Sequence, residues 1–287
     1  MPLPTLSIIL PAHNEADSLQ TLLPLLKAAY PHAEIIVVND GSSDHTLTTA
    51  ETAGVRVISH PHSIGNGAAI KTGVRHASGD TLLLIDADSQ HRVEDIATLL
   101  DEYAKGYSMV VGARTRDGQA NAPRWLGNTS YNMLASWIVG RPIRDLTSGF
   151  RVVNAKKFKE FLHLLPNGFS YPSTITMAFF RSGYAVSYVN VTVNKRIGRS
   201  HIRPISDGFR FLIIIYKVAT LYSPLKVFLP LAGLHFIIGL CYYGFAGHLT
   251  YFSTILISAS IIIFLIGLVS EQITTLMYQQ KQHENTD

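Results

Sequence analysis

Short runs of Ile, Val and Leu alternate with segments of helical periodicity over the first part of the sequence. The apolar runs lie at residues 6–12, 33–40, 55–60, 80–88 and 108–114. The helical segments between them lie at residues 16–29, 43–53, 68–77 and 93–103. Uninterrupted apolar runs are typical of strands buried on both faces, and intervening helices are typical of parallel crossovers. The pattern predicts an α/β fold with an open, mostly parallel, doubly wound sheet.

Two longer apolar runs follow near the end of the chain. They cover Val227–Phe245 and Tyr251–Val269, and neither contains a charged residue. Each has about 19 residues, which is enough for a helix to cross a hydrocarbon layer of ~30 Å. The alternative is a buried hairpin of a soluble protein, but neither run has a polar face. We therefore expect transmembrane helices at about 227–246 and 250–270.

Basic residues lie outside the two apolar runs and are missing from the short connector between them. They are Arg203, Arg210, Lys217, Lys226 and Lys281. The positive-inside rule therefore predicts that the N-terminal part and the C-terminus are cytoplasmic. The expected organisation is an α/β domain at 1–205, an amphipathic helix at the membrane interface at 206–225, two transmembrane helices within 226–272, and a cytoplasmic tail at 273–287.

Composition changes this picture little. The 287 residues are 47% hydrophobic and 15% charged, and the net charge is only +4. Because the basic residues lie beside the apolar runs, membrane phosphates are expected as partners and nucleic acid is not. A single cysteine, Cys241, excludes a disulfide framework and a thiolate metal site. The first 15 residues lack the basic start and the cleavage site of a signal peptide, so they are interpreted as the start of a strand.

Polar, acidic and glycine-rich segments follow the predicted strands. They are PAHNE at 11–15, NDGSSD at 39–44, HPHSIGNG at 60–67, DADSQH at 86–91 and GAR at 112–114. Ligands of open α/β sheets bind beyond the carboxyl ends of the strands. These segments therefore predict one site at a single edge of the sheet.

Two carboxylates, Asp86 and Asp88, end the fourth strand. The alternation of side chains along a strand points both in the same direction, and their repulsion is relieved when a cation lies between them. Hard oxygen donors suit Mg²⁺ or Mn²⁺, and Gln90 offers an amide oxygen as a further ligand. The alternative is a solvated turn that caps the next helix through Asp88 or Ser89.

The segment GNGAAI at 65–70 follows a strand and precedes a helix, as a dinucleotide-binding loop does. Ile70 occupies the place of the third small residue, which disfavours NAD binding. A helix start with Gly65, Gly67 and the nearby Lys71 is still suited to a phosphate.

Five motifs, taken in order, resemble those of inverting glycosyltransferases with the GT-A fold, and most of all the dolichyl-phosphate and polyprenyl-phosphate glycosyltransferase branch. They are PAHNE, VVNDGSSDHT, GNGAAIKTGVRHASGD, DADSQH and DLTSGFRV. The resemblance implies a Rossmann-like GT-A domain with a nucleotide-sugar pocket lined by Pro11, Ala12, Asn14, Glu15 and Asp40. It implies that Asp86, Asp88 and Gln90 hold Mg²⁺ or Mn²⁺ against the donor diphosphate. Lys71 and Asp86 complete the candidate donor set, and Asn39 stands where most members carry an Asp.

The resemblance also implies an acceptor side. DLTSGFR at 145–151 matches the acceptor-side motif of the family, and NKRIGRSH at 194–201 resembles a loop that closes over phosphates. In that loop Lys195 takes the place of an arginine and His201 that of a lysine. The candidate residues for the acceptor phosphate are Arg114, Arg124, Ser148, Lys195, Arg196 and Ser200.

The resulting hypothesis is metal-dependent transfer of a sugar, with inversion, from a UDP- or GDP-sugar to undecaprenyl, dolichyl or a related polyprenyl monophosphate. The expected location is the cytoplasmic face of a bacterial inner membrane. The candidate catalytic residues are Asp88, Arg114, Arg124 and Asp145. A phosphate nucleophile is mostly ionised at neutral pH, whereas a sugar hydroxyl would need a general base, for which Asp145 is the first candidate. A polysaccharide synthase and a non-catalytic membrane scaffold are the alternatives; the sugar and a homo-oligomeric state stay open.

Overall fold

The computed structural model describes residues 5–114, 122–168, 170–193, 213, 216, 219, 220 and 222–284, with side chains for all of these except 122–128 and 277–284. The chain divides into two compact units. We call the first the sheet unit; it comprises Met1–Met133 and Pro142–Ile202. We call the second the hairpin unit; it comprises Leu134–Arg141 and Arg203–Asp287. The predicted domain boundaries at 205, 225 and 272 stay predictions.

Strands and helices alternate through the sheet unit. The strands are β1 (Leu6–Ala12), β2 (Glu34–Asp40), β3 (Arg56–His60), β4 (Thr81–Leu84), β5 (Met109–Arg114), β6 (Arg151–Asn154) and β7 (Val186–Val191). The helices up to residue 181 are α1 (Ala16–Ala29), α2 (Thr46–Thr52), α3 (Asn66–His76), α4 (Glu94–Tyr103), α5 (Ala122–Val139), α6 (Ala155–Lys159) and α7 (Tyr171–Arg181), with a 3₁₀ turn at Leu162–Leu164.

The strands form one sheet in the order β3-β2-β1-β4-β6-β5-β7. The pairs β1 with β2, β1 with β4, β2 with β3 and β5 with β7 are parallel, which confirms the predicted sheet. Strand β6 is antiparallel to both of its neighbours, β4 and β5. Strand β6 was not predicted, because four residues are too few to give a periodic signal, and β7 also lies outside the five predicted strands. Since β6 runs in the opposite direction, its first residue, Arg151, pairs with Leu84 at the end of β4.

The ends of the first two helices depend on local hydrogen bonding. Helix α1 begins at Ala16 and ends at Ala29, as predicted, and its buried leucines pack in the core below the sheet. Helix α2 begins at Thr46, later than predicted. The Asp44 carboxylate accepts hydrogen bonds from the Thr46 backbone N–H at 2.9 Å and from its hydroxyl at 2.5 Å, which holds the preceding residues in a turn. The loop between β2 and α2 is therefore longer than predicted.

The hairpin unit contains two long helices, α8 (Pro224–Ala246) and α9 (Tyr251–Glu284). The whole of α8 and residues 251–276 of α9 are long and apolar enough to cross a membrane. Only 11% and 17% of their most apolar windows are buried, whereas a core helix of a soluble protein is mostly buried. The alternative of a buried soluble hairpin is therefore disfavoured, and the pair indicates membrane association.

Two glycines let α8 and α9 pack closely. A Cβ at Gly239 would lie 2.9 Å from Cγ1 of Ile257, and one at Gly267 would lie 2.5 Å from Cβ of Phe228. Small residues at helix crossings are typical of helix pairs in lipid, where van der Waals contact between backbones supplies much of the attraction.

Candidate active site

Hydrogen bonds join the loops that follow β1 and β2. The Asn14 backbone N–H donates to Oγ of Ser42 at 3.0 Å, and the Asn14 side-chain oxygen accepts from the Ser43 backbone N–H at 2.8 Å. Asn14 has φ +56°, a left-handed conformation that asparagine tolerates better than most residues. The Glu15 backbone N–H donates to Oγ1 of Thr46 at 2.9 Å. Two of the predicted donor-pocket segments therefore form one connected surface.

Asp40, at the end of β2, holds the loop that follows β3. Its carboxylate accepts hydrogen bonds from Oγ of Ser63 at 2.8 Å and from the backbone N–H groups of Ile64 and Gly65 at 3.0 and 2.8 Å. Nδ1 of His60 lies 2.7 Å from the same carboxylate. Burial alone would raise the pKa of Asp40, but these donors outweigh it and the pKa is lowered. Asp40 is therefore ionised at neutral pH, and its carboxylate is hydrogen-bonded to other residues of the same chain.

Asn39 shapes the turn that follows β2. Its amide nitrogen donates to Oγ of Ser59 at 3.2 Å, and its amide oxygen accepts from the Ser42 backbone N–H at 3.1 Å. An aspartate at this position could accept the second bond but could not donate the first. The asparagine that departs from the family motif thus makes two hydrogen bonds within the chain, one as donor and one as acceptor.

The start of α3, which was predicted to bind a phosphate, contacts residues 165–168 of the same chain. A Cβ at Gly67 would lie 2.1 Å from the Pro166 carbonyl oxygen, and the Gly67 N–H donates to the Gly168 carbonyl at 3.2 Å. The Lys71 ammonium donates to the Leu165 carbonyl at 3.0 Å and to Oδ1 of Asn167 at 2.5 Å. The glycines therefore permit close approach of residues 165–168, and Lys71 is engaged with the same segment.

Asp86 and Asp88 lie in the loop that follows β4; the prediction that they end the strand was wrong, because β4 ends at Leu84. Oδ1 of Asp88 accepts a hydrogen bond from the Gln90 backbone N–H at 3.1 Å, and Ser89 between them has φ +55°. Asp86 lies against Gly149, where an added Cβ would be 2.6 Å from its Oδ2 and 3.0 Å from its Oδ1. The close approach of the loop containing Gly149 is therefore possible only because this residue has no side chain.

The chemistry of this loop suits a divalent cation. Asp86, Asp88 and Gln90 offer only oxygen donors, and Mg²⁺ is usually held by one or two carboxylates together with substrate phosphates. Over the described ranges, no group of three or more His, Cys, Asp and Glu side chains is arranged to hold a metal ion. The three residues fit the metal that the resemblance implies.

Arg114 and Asp145 form a bidentate ion pair. Nε of Arg114, the last residue of β5, donates to Oδ2 of Asp145 at 2.7 Å, and Nη2 donates to Oδ1 at 2.9 Å. Nη2 also donates to Oγ1 of Thr147 at 2.5 Å. Burial alone would raise the pKa of Asp145, but Arg114 and two backbone N–H groups outweigh it and the pKa is lowered. A carboxylate held in this way is a weak base at neutral pH.

We expect Asp145→Asn to lower the free energy of unfolding at pH 7 by about 3 kcal/mol, because the mutation leaves a part-buried guanidinium without its charge partner. Since the folded-state pKa is lowered, the stabilisation is complete above the unfolded-state pKa of about 3.9 and is lost as the pH falls through the folded-state value. The difference in unfolding temperature between wild type and variant should be constant from about pH 7 to 5 and shrink only below about 4. A difference that already shrinks between pH 7 and 5 would contradict the ion pair.

His91 was not predicted as a site residue. Its side chain is 8% exposed, stacks on Phe150 with ring centroids 4.6 Å apart, and has an Nδ1 without a hydrogen-bond partner in the described part of the chain. Burial lowers the pKa of His91 to about 4, so the ring is neutral at physiological pH. Its backbone also pairs with Val193. Neither His91 nor Gly149 was predicted as a site residue, because a contact between segments that are distant in the sequence leaves no local signal.

The remaining candidate residues divide into two groups. The first group lies within the described residues. Pro11 and Ala12 are the last two residues of β1, and Ser148, next to Gly149 in the sequence, is buried. Oε2 of Glu15 accepts a hydrogen bond from Oγ of Ser18 at 3.2 Å. The others lie outside the described residues or side chains; they are the Arg124 side chain in α5, Lys195, Arg196 and Ser200.

Comparison with known proteins gives matches to both units. The family model "Glycosyl transferase family 2" matches residues 7–162, and the model "GtrB C-terminal hairpin" matches residues 223–276. Glycosyltransferase AglJ of Haloferax volcanii is 28% identical over 235 residues, covering 79% of this chain and 77% of that protein. A dolichyl-phosphate hexose transferase of the same organism is 27% identical, covering 74% of this chain and 93% of that protein.

For another relative, the match covers only about half of that protein's length. The undecaprenyl-phosphate 4-deoxy-4-formamido-L-arabinose transferase of Edwardsiella ictaluri is 32% identical, but the match covers 55% of this chain and about half (51%) of that protein. Among solved structures, glucosyl-3-phosphoglycerate synthase of Mycobacterium tuberculosis, in complex with Mn²⁺, UDP and glucosyl-3-phosphoglycerate, has a TM-score of 0.61 at 20% identity, covering 75% of this chain and 80% of that one. This likeness supports the GT-A fold.

The family match spans more than half of the chain and includes β1 to β6, with the loops that carry Asp86, Asp88, Arg114 and Asp145. The sequence resemblance and the sheet topology agree with it. The chain is a glycosyltransferase and belongs to glycosyl transferase family 2.

Proposed function

We propose that this enzyme transfers a sugar, with inversion, from a nucleotide-sugar to a polyprenyl monophosphate in a membrane. The observation that carries the choice of acceptor is the Arg114–Asp145 ion pair, because it lowers the pKa of Asp145, the carboxylate that would have to act as the base if the acceptor were a sugar hydroxyl. A phosphate monoester has a second pKa of about 6, so it is already a nucleophile at neutral pH. Relatives named as dolichyl-phosphate and undecaprenyl-phosphate transferases support the same acceptor.

For the donor side, we assign the diphosphate and a divalent cation to Asp86, Asp88 and Gln90. Mg²⁺ or Mn²⁺ bound there would neutralise charge that develops on the departing nucleoside diphosphate. Asp88 keeps its geometry through the Gln90 backbone N–H, and Asp86 keeps its geometry through contact with Gly149. The connected loops around Asn14 and Asp40 form the proposed nucleotide pocket, with Pro11, Ala12 and Glu15. The related structure with Mn²⁺ and UDP supports this assignment.

For the acceptor side, we assign the phosphate to Arg114 and Ser148, together with Arg124, Lys195, Arg196 and Ser200. The Arg114 guanidinium stays charged at any working pH, and its Nη1 group, which does not take part in the bidentate pair with Asp145, is the one that would donate to a phosphate oxygen. Asp145 orients the Arg114 guanidinium through two hydrogen bonds and thereby presents it in one conformation.

The hairpin unit suits an acceptor with a lipid tail. It contains an apolar cavity of about 540 Å³, lined by residues that include Trp137, Ile213, Tyr216 and Val227. Lys226, which also lines it, donates to the Ile138 carbonyl at 2.7 Å. We propose that α8 and α9 anchor the enzyme as transmembrane helices with the sheet unit on the cytoplasmic face, as the flanking basic residues predict.

The test is transfer of radiolabel from a panel of UDP- and GDP-sugars by membranes that contain the full chain. We expect label from one donor to enter a product that organic solvent extracts and mild acid releases, and we expect EDTA to abolish this. Membranes with the Asp88→Asn variant serve as the matched control. Label that enters only water-soluble polymer would overturn the acceptor and favour a sugar hydroxyl. Absence of any donor consumption would overturn the catalytic assignment.

A further inference from the structure

Arg151, the first residue of β6, has a fully buried guanidinium. Its side chain is 0% exposed, and its Nη2 donates to the Ser148 carbonyl. Nη1 donates to the Pro172 carbonyl and to Oγ1 of Thr176, each at 3.2 Å. The guanidinium therefore joins the segment before β6 to the first turns of α7.

This arginine has no salt bridge to a carboxylate in the described part of the chain, and its Nε has no hydrogen-bond partner there. Burial lowers the pKa of Arg151, while Tyr171, Tyr188 and the carboxylates of Asp145 and Asp86 act in the opposite direction. Arginine nevertheless remains protonated in proteins. A buried charge without an ion-pair partner costs folding free energy, so a role at the nearby site is a reason for its presence.

The segment that Arg151 holds is the one that contacts Asp86. Arg151 binds the carbonyl of Ser148, and the next residue is Gly149, whose backbone lies against the Asp86 carboxylate. The Tyr171 hydroxyl donates to the Gly149 carbonyl at 3.4 Å, and the Arg151 guanidinium lies 5.9 Å from the centre of the Tyr171 ring. Two consecutive carbonyls, those of Ser148 and Gly149, are thus held by Arg151 and Tyr171.

We propose that Arg151 is a positioning residue for the donor cation: it fixes the Ser148–Gly149 backbone against which Asp86 rests, and it does so without contact with the substrate. This inference rests on the proposed function, since it assumes that Asp86 binds the cation. Supporting contacts behind a metal ligand typically change metal affinity about 10- to 100-fold when they are removed. The effect should therefore be measurable as weaker cation and nucleotide binding in the absence of acceptor.

The experiment measures the affinity of the purified full chain for Mn²⁺ in the presence of UDP, by calorimetry, for Arg151→Lys and Thr176→Val. We expect Arg151→Lys to weaken Mn²⁺ binding about 10- to 100-fold, because an ammonium group cannot span the Ser148 and Pro172 carbonyls together. Thr176→Val removes one of the three oxygen acceptors and should weaken binding by a smaller factor. Because Ser148 is also assigned to the acceptor phosphate, the KM for polyprenyl phosphate is expected to rise in parallel, and Mn²⁺ affinity measured without acceptor is the deciding readout.

Tyr131→Phe is the matched control. It removes another buried hydrogen bond to α7, from the Tyr131 hydroxyl to Oγ of Ser173 at 2.8 Å, and leaves in place the groups that bind the Arg151 guanidinium. It should lower the unfolding temperature without changing Mn²⁺ affinity. If Arg151→Lys fails to fold, Thr176→Val decides the question.

Wild-type Mn²⁺ affinity in both Arg151→Lys and Thr176→Val would overturn the inference, and so would an equal loss in the Tyr131→Phe control. A wild-type chain that binds Mn²⁺ neither with UDP nor, in a repeat of the titration, with GDP would overturn it as well. Failure of the acceptor assignment is distinguishable, because Mn²⁺ binding is measured without acceptor. A chain that binds Mn²⁺ through this arrangement but labels no lipid would refute only the proposed acceptor.

Discussion

Asp88→Asn is expected to reduce sugar transfer by about 10³-fold while the protein stays folded in the membrane, because the variant removes one of the two charges proposed to hold the donor cation. Asparagine keeps an oxygen that can accept the Gln90 backbone N–H, so the loop itself should keep its conformation. The measurement is the initial rate of label transfer to the organic-extractable product at saturating donor, with the unfolding temperature recorded in parallel.

Asp101→Asn provides the matched control for Asp88→Asn. Asp101 is an exposed carboxylate on α4, so its replacement changes the net charge equally without touching the loop. It should transfer sugar at the wild-type rate. An Asp88→Asn protein that keeps more than about a tenth of wild-type activity would remove the metal role assigned to Asp88.

Gly149→Ala is expected to reduce transfer by about 10²-fold, since a misplaced catalytic group costs rate even when no donor atom is lost. The added methyl group would lie 2.6 Å from Oδ2 and 3.0 Å from Oδ1 of Asp86, so the carboxylate must move. The backbone of Gly149 is not among those with positive φ, so alanine introduces a steric contact and no conformational strain. The rate and the Mn²⁺ concentration that gives half-maximal rate are both measured.

The control for this variant is Gly168→Ala. A Cβ at Gly168 would meet no heavy atom within 4 Å, so the same chemical change should be silent there. Higher Mn²⁺ should partly restore the Gly149→Ala variant, because the displaced carboxylate still attracts the cation. A wild-type rate for Gly149→Ala would show that Asp86 does not depend on this contact.

The helices and strands were predictable where their signals are local. Helix α1 has both predicted ends, and strands β1, β2, β4 and β5 follow from runs of buried aliphatic residues. The loops that contain Asp86 and Asp88 were predictable because strand order alone brings carboxyl ends to one edge. Strand β6 was not predictable, since it is held by hydrogen bonds to its partners β4 and β5.

The contacts within the site could not be predicted from the sequence, because they join segments that are distant along the chain. Asp86 meets Gly149, Arg114 meets Asp145, and His91 meets Phe150 only after the sheet has formed. Lys71 illustrates the converse: its place near a glycine-rich helix start suggested a phosphate, but its ammonium binds the carbonyl of Leu165. A charged residue near a motif is informative about chemistry, whereas its actual partner depends on packing.

The antiparallel direction of β6 bears on how this enzyme can diverge. The chain leaves β5 at Arg114 and returns at Arg151, and this excursion ends in a strand held on both sides by β4 and β5. The entropy cost of a longer excursion grows only slowly with length, and the ladders on either side fix the register of the return. Insertions in the connector between α5 and Asp145 should therefore cost little loop-closure entropy, so the proposed acceptor side can change in length while the register of β6 is kept.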